Sequence, residues 1–295
     1  MPFLIRELAQ RRRVTILVYH KPAPETADRH FEALRRKYNI ISLADYLSYR
    51  TDARKHLPPK PLIVTFDDGH ESNYALKSIL EKHGVRATLF LCSGLVGTNR
   101  HFWFETDMSN SVRQRLKRVA DDERLGVLSK LGFSETAEYE TRQALSASEI
   151  EEMKPLVDFQ SHTVYHPLLP QCPAPRAATE ISDSKIQLEE RFRLRIYALA
   201  YPNGDYSTRE TTAAEASGYT CALTLDNGFN SRETPAFQLR RICINDDAGL
   251  AELFVKASGL WGFLKNLAPG HLARRWLPAR NTQPEYFTPD QRSAS

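Results

Sequence analysis

The sequence has no long hydrophobic run. Nowhere in its 295 residues does an apolar stretch approach the roughly eighteen residues that a membrane-spanning helix needs. Residues 1–13 are polar and carry Arg6, Arg11, Arg12 and Arg13, and the apolar run behind them, residues 14–19, is too short for a signal-peptide core. Paired cysteine spacing is also missing. Cys92, Cys172, Cys221 and Cys243 are scattered, which is the pattern of reduced, packed thiols and points to the cytoplasm. Nor is there an excess of one charge: 40 basic against 36 acidic residues leave a formal +4, too balanced to indicate a nucleic-acid partner. Length and ordinary apolar content allow one large α/β domain with a substantial core, here assigned to residues 1–258.

What is present is an alternation. Residues 14–19 (VTILVY) read as a buried strand, 28–37 as a helix, 40–42 as a strand and 43–49 as a helix. Residues 62–66 follow as a strand, 71–83 as a helix closed by Gly84, and 87–92 as the next strand. Residues 98–145 break the rhythm: they are charged and helix-prone, with Arg113, Arg115, Lys117 and Arg118 close together, and read as a helical insertion. Its His101, Trp103 and Phe104 suit packing against the body of the fold and also offer a cleft wall. Ser146 and Glu149 form a capping box, and strands at 157–160, 196–200, 219–224 and 238–244 alternate with helices at 177–192 and 207–217. Such alternation implies a parallel sheet or barrel with helices outside.

The strand endings carry the chemistry. His20, Asp67 and Asp68, His162 and His166, Tyr201, Asp226 and Asp246 all fall just after predicted parallel strands. In a βα barrel those loops share the C-terminal face, where ligands bind. Adjacent aspartates repel one another and cost desolvation unless a positive charge sits with them, which makes Asp67-Asp68 a site rather than a turn. Asp68, His162 and His166 make a three-donor set for a divalent transition metal with a fourth position open; zinc suits the donors best, with cobalt, nickel or iron as other occupants. Pro167 disfavours a helical His166, so both histidines belong in a loop. Asp67, outside the metal set, is free to take a proton from water.

Three segments, Thr65-Phe66-Asp67-Asp68-Gly69, Ser161-His162-Thr163-Val164-Tyr165-His166-Pro167 and Ala200-Tyr201-Pro202-Asn203-Gly204, resemble the ordered motifs of the NodB-homology polysaccharide deacetylases, carbohydrate esterase family 4. The resemblance covers roughly residues 14–246. It implies a distorted seven-stranded (β/α) barrel and a metal-dependent hydrolase that removes N-acetyl groups from amino sugars, with Asp67 as catalytic base and Asp68, His162 and His166 on the metal. Tyr201, Pro202, Asn203 and Trp103 are the expected substrate-binding residues. Two departures stand out. The family's common arginine in the third motif is replaced by Ala200, and its late Leu-x-His motif is absent from residues 239–246. In these respects, and in Tyr19-His20, the chain looks nearer the poly-N-acetylglucosamine deacetylase branch. His20 is therefore expected as proton donor, and Arg241 or Arg240 as the cation beside Asp67; His70 reads as a loop residue. A non-sugar amide or cyclic ureide substrate, or carbohydrate binding without turnover, are the competing readings.

Residues 260–277 mix Trp261, Phe263, Leu264, Leu267, Leu272, Trp276 and Leu277 with Lys265, Arg274 and Arg275. This C-terminal segment, set apart as residues 259–295, either packs on the barrel or makes a peripheral membrane contact.

Overall fold

The structure is a computed structural model that describes Glu7 and residues 11–259. The amphipathic stretch at 260–277 lies outside the described residues. Every strand pair named below is parallel. The strands are β1 (Thr15–Tyr19), β2 (Asn39–Ile40), β3 (Pro61–Phe66), β4 (Ala87–Leu91), β5 (Val157–Ser161), β6 (Ala198–Ala200), β7 (Cys221–Leu223) and β8 (Ile242–Cys243). Seven of them form one path in the order β7-β6-β5-β4-β3-β1-β8, and the two-residue β2 pairs with the start of β3 off that path. Leu239, just before β8, bridges Leu223 of β7, while Ile242 and Cys243 pair with β1. One short segment thus touches both ends of the path and curls the sheet into a distorted (β/α) barrel.

Helices connect the strands: α1 (Pro24–Arg35), α2 (Leu43–Thr51), α3 (Lys77–His83), α4 (Asn110–Leu116), α5 (Asp121–Lys130), α6 (Ala147–Met153), α7 (Ala174–Phe192), α8 (Thr208–Ala216) and α9 (Leu250–Ala257). Among the described residues no helix is long and apolar enough to cross a membrane. Ser42, Ser146 and Ser207 open α2, α6 and α8 with reciprocal capping boxes. Gly84 ends α3 in the left-handed region, φ 59°, where glycine carries no Cβ penalty. The helix predicted over 71–83 begins instead as a 3-10 turn, Glu71–Leu76, directly behind the Asp67-Asp68 loop. Residues 98–145 hold α4, α5 and a 3-10 turn at Trp103–Glu105, and pack a small apolar cluster of Trp103, Leu116, Leu128, Phe133 and Leu168.

Strand parity sorts the core into two layers. Leu17, Leu62, Val64, Phe66, Leu89 and Leu91 join Phe31, Leu34, Leu80, Ile181 and Leu188 of the surrounding helices. Ile16, Ile63, Phe90, Ala198, Ala200, Leu223 and Leu239 form the second cluster, which fills the inside of the barrel. Because side chains alternate faces along a strand, continuing Ile63 and Thr65 inward brings Asp67 inward, and continuing Leu239 inward brings Arg241 with it. Arg240 has the opposite parity and is exposed.

Candidate active site

The turn after β3 is built to present two carboxylates in different directions. Asp68 and Gly69 both take positive φ, 73° and 78°. At Gly69 a Cβ would stand 2.6 Å from Leu91 Cδ2, so this position needs glycine on both counts. Thr163, His166 and Asn203 are also at positive φ, and with Asp68 they make four of the six non-glycine residues so placed among those described. Left-handed backbone at non-glycine residues is uncommon and concentrates where the surroundings hold a functional geometry.

His162 directly follows β5. Its N–H bonds to Leu91 O at 2.8 Å, and its Nδ1 lies 2.8 Å from Ala200 O. A carbonyl only accepts, so Nδ1 carries the proton and the Nε2 lone pair faces Asp68. His166 is turned back by its own N–H, which donates to Thr163 Oγ1 at 3.1 Å, and its carbonyl accepts Trp103 Nε1–H at 2.8 Å. The Nε2 atoms of both histidines lie 3.4 Å from Asp68 Oδ1. All three donor atoms lie within 4.8 Å of one another, and all three residues are buried.

These donors fit a metal ion. Asp68 Oδ1 is a buried carboxylate oxygen with no hydrogen-bond partner, facing an imidazole lone pair; a cation between them resolves both the orphaned acceptor and the repulsion. The other oxygen is supported by His70, whose Nε2 lies 3.1 Å from Asp68 Oδ2 in a buried position against the Phe102 ring. His70 is thus more than the loop residue expected from the sequence. Burial pushes the Asp68 carboxyl up, but the histidines around it, His162 facing Oδ1, His70 bonded to Oδ2 and His166 close by, outweigh it and leave it well below the usual range. Burial drives His166 down to about 3, which keeps its imidazole neutral, the form that can donate to a metal.

Asp67 has a different environment. Arg241 grips it with both arms, Nη1 to Oδ1 at 2.6 Å and Nη2 to Oδ2 at 2.8 Å, while its Nε–H donates to Thr224 O at 2.9 Å. Arg241 is only 1% exposed, and its guanidinium faces the Phe90 ring at 5.6 Å. Burial alone would raise Asp67; the Arg241 charge overcomes it and holds the carboxyl below its ordinary value. Asp67 Oδ2 is 3.9 Å from His162 Nε2, so the ionised carboxylate stands beside the metal position without belonging to the ligand set.

A cavity of about 330 Å³ opens over these groups. His20, Asp67, Asp68, His162 and His166 line its floor; Trp103, Phe104, Leu168 and Leu225 give apolar walls; Arg113, Lys117 and Asn203 complete it. His20 is fixed by its backbone, its N–H donating to Asp246 Oδ1 at 3.1 Å and its carbonyl accepting Asn73 Nδ2–H at 2.7 Å. Two predicted substrate residues are elsewhere. Tyr201 is fully buried, stacks on Tyr206 at 5.1 Å and donates its hydroxyl to Phe237 O, and Pro202 is buried in the turn. The N–H groups of Gly204 and Asp205 are spent on Tyr201 O and Pro202 O, which removes them as donors to a substrate. His101 stacks on Tyr139 at 4.1 Å and does not line the cavity.

A curled parallel barrel presents an Asp-Asp turn and two loop histidines on its C-terminal face, and this arrangement is shared with a known family of hydrolases. The polysaccharide deacetylase family model matches residues 54–222, more than half of the chain, and the protein belongs to that family. A curated relative, YxkH of Bacillus subtilis, is 24% identical over 187 residues, which are 63% of this chain; the chain spans about half of that relative, 52%. Among solved structures, the Streptococcus pyogenes deacetylase PplD in complex with acetate superposes with a TM-score of 0.62 at 22% identity, covering 84% of this chain and 99% of that one. IcaB from Ammonifex degensii gives the same TM-score at 19% identity, covering 84% and 98%. These likenesses establish the fold.

Proposed function

We propose that this protein hydrolyses the N-acetyl amide of an amino sugar in a metal-dependent reaction. The observation that carries the reading is the division of the two adjacent carboxylates: Asp68 converges with His162 and His166 on an open cation position, while Asp67 is clamped, ionised, beside it. An amide is a poor electrophile, and its hydrolysis needs a polarised carbonyl, an activated water and a proton for the leaving amine. A divalent ion held by Asp68, His162 and His166, zinc by preference for those donors, supplies Lewis acidity toward the carbonyl and the water.

The remaining steps fall to the chain's own residues. Asp67 accepts the proton of the attacking water. Arg241 keeps Asp67 charged and oriented, at the cost of making it a weaker base, so its geometry matters more than its proton affinity. His20, on the cavity floor, delivers a proton to the departing amine. The apolar walls from Trp103, Phe104, Leu168 and Leu225 offer surfaces for the acetyl methyl and a sugar face, and Asn203 offers a polar contact.

The test is acetate release from N-acetylglucosamine oligomers by the full chain, with chelator and zinc add-back. Chelation is expected to abolish release and zinc to restore it. Asp67→Asn is expected to retain zinc yet lose about 10²–10⁴-fold in turnover. Zinc retained by the wild type with no release from any amino sugar would overturn the assignment.

A further inference from the structure

The floor of the cavity explains amide hydrolysis but leaves two of its lining residues without a task. Arg113 and Lys117 sit four apart, at the end of α4 and just beyond it, and so share one helical face turned to the cavity. Their neighbours in the basic run do not: Arg115 pairs with Glu123 at 3.4 Å, and neither Arg115 nor Arg118 lines the cavity. Like charges at this spacing repel, and nothing in the lining offsets them. Of the two acids there, Asp67 is taken up by Arg241 and Asp68 by the ligand set and His70. Among the described residues neither Arg113 nor Lys117 has a carboxylate partner; both are steadied by neutral oxygens. Arg113 Nε–H donates to Phe104 O at 2.8 Å, and Lys117 Nζ donates to Asn203 Oδ1 at 2.9 Å. The second bond ties the insertion to the left-handed residue of the turn after β6. A neutral N-acetyl sugar gives such a pair nothing to neutralise. An oxyanion does.

We propose that Arg113 and Lys117 form an anion-recognition arm of this cavity, and that the substrate is an amino sugar bearing a phosphate or carboxylate close to its N-acylated ring. This rests on the hydrolase reading above and names its substrate class. The ammonium of Lys117 acts as a point charge, and the Arg113 guanidinium keeps donors for an oxyanion beyond those given to Phe104 O and, at 3.4 Å, to Met108 O. The insertion that carries both residues is then the specificity element, and the metal floor the reactive one.

The experiment is calorimetric binding to the full-length Asp67→Asn protein, which removes turnover from the readout. The probes are the methyl glycoside of N-acetylglucosamine, N-acetylglucosamine 1-phosphate and N-acetylmuramic acid. An anionic probe is expected to bind about tenfold or more tightly than the neutral one at low salt, with the gap shrinking in 0.5 M NaCl. A gap for the phosphate alone, or for the carboxylate alone, identifies the group. Anions are drawn to a metal as well, so the gap is compared in Lys117→Met: it should narrow about tenfold there and return in Lys117→Arg. Lys117 makes only one bond to the turn, so this variant is expected to fold where Arg113→Gln loosens the insertion. Equal binding of neutral and anionic probes, or a gap unchanged in Lys117→Met, overturns the proposal. Failure of acetate release on every sugar with the gap intact would instead remove the hydrolase reading and leave the anion arm standing.

Discussion

Two groups of buried charge meet at the loop 162–166, and they are closed differently. Behind it, Asp121 pairs with Arg124 at 2.5 Å, Arg176 reaches Asp121 at 2.8 Å and Glu135 at 2.6 Å, and Arg124 lies over the Trp103 ring at 5.0 Å. Each acid there has a basic partner from the chain itself. In front of the loop, Arg241 closes Asp67 in the same way, but Asp68 Oδ1 has no hydrogen-bond partner and faces only the two histidines. Burying an ion pair confers little net stability, whereas breaking one is expensive. The closed cluster therefore acts as a brace, joining α5 and α7 behind the histidines, and the open carboxylate marks where an external charge belongs. Function is visible in the difference between a satisfied and an unsatisfied acid, not in burial itself.

Breaking the front pair should have the largest effect. Arg241→Met leaves Asp67 buried without its cation, and a loss of about 3–5 kcal/mol is expected in denaturant unfolding at neutral pH. The sign follows from linkage. Asp67 is held below its unfolded value, so the stability it contributes is present above that value and is lost as pH falls through the folded one. Without Arg241 the carboxyl titrates higher, so the deficit should shrink on acidification, and adding Asp67→Asn should recover part of it. Equal deficits at pH 4 and pH 7 would show that Arg241 acts by packing on Phe90 instead.

Filling the open position is the next test. Zinc at about 100 times its dissociation constant should stabilise the wild type by about 2.7 kcal/mol over chelated protein, because only the folded chain assembles the site. His166→Ala should abolish that increment. An increment that survives would place the ion elsewhere.

The same contrast shows what could be read from the sequence. Asp68, His162 and His166 were legible because each falls in the loop just after a predicted strand, and parallel topology sends all such loops to one face. The choice between Arg240 and Arg241 was legible in principle from parity, since Leu239 packs in the inner cluster and Arg241 shares its face; it stayed open because the sequence does not say which face of this segment points inward, and only Ile242 and Cys243 form β8. Tyr201 was misplaced for a similar reason. A motif residue at a strand end was assumed to face the ligand, but its ring fills the space under the turn against Tyr206. His70 and Glu180 could not be found at all, because nothing local distinguishes them; their partners are Asp68 Oδ2 and the N–H groups of Val164 and Tyr165.

Glu180 gives the smallest effect and the sharpest test of the brace. Its Oε2 accepts the Val164 and Tyr165 N–H groups at 2.8 and 2.9 Å, between His162 and His166, and Arg176 stands 3.7 Å from its other oxygen. Burial pushes this carboxyl up to about 7, with the Glu135 charge adding to the rise and the loop amides opposing it. A raised acid holds its proton better when folded, so its contribution is fully present below the unfolded value near 4.5 and is lost as pH rises through about 7. Between pH 5 and pH 7 this amounts to about 2 kcal/mol of falling stability. Glu180→Gln keeps an oxygen for the amides and cannot titrate, so the difference in unfolding free energy between wild type and variant should change by about that amount across the window, in favour of the variant at pH 7. A pH-independent difference would mean that Glu180 holds the loop as an ordinary carboxylate, and that the cluster behind the histidines carries no strain of its own.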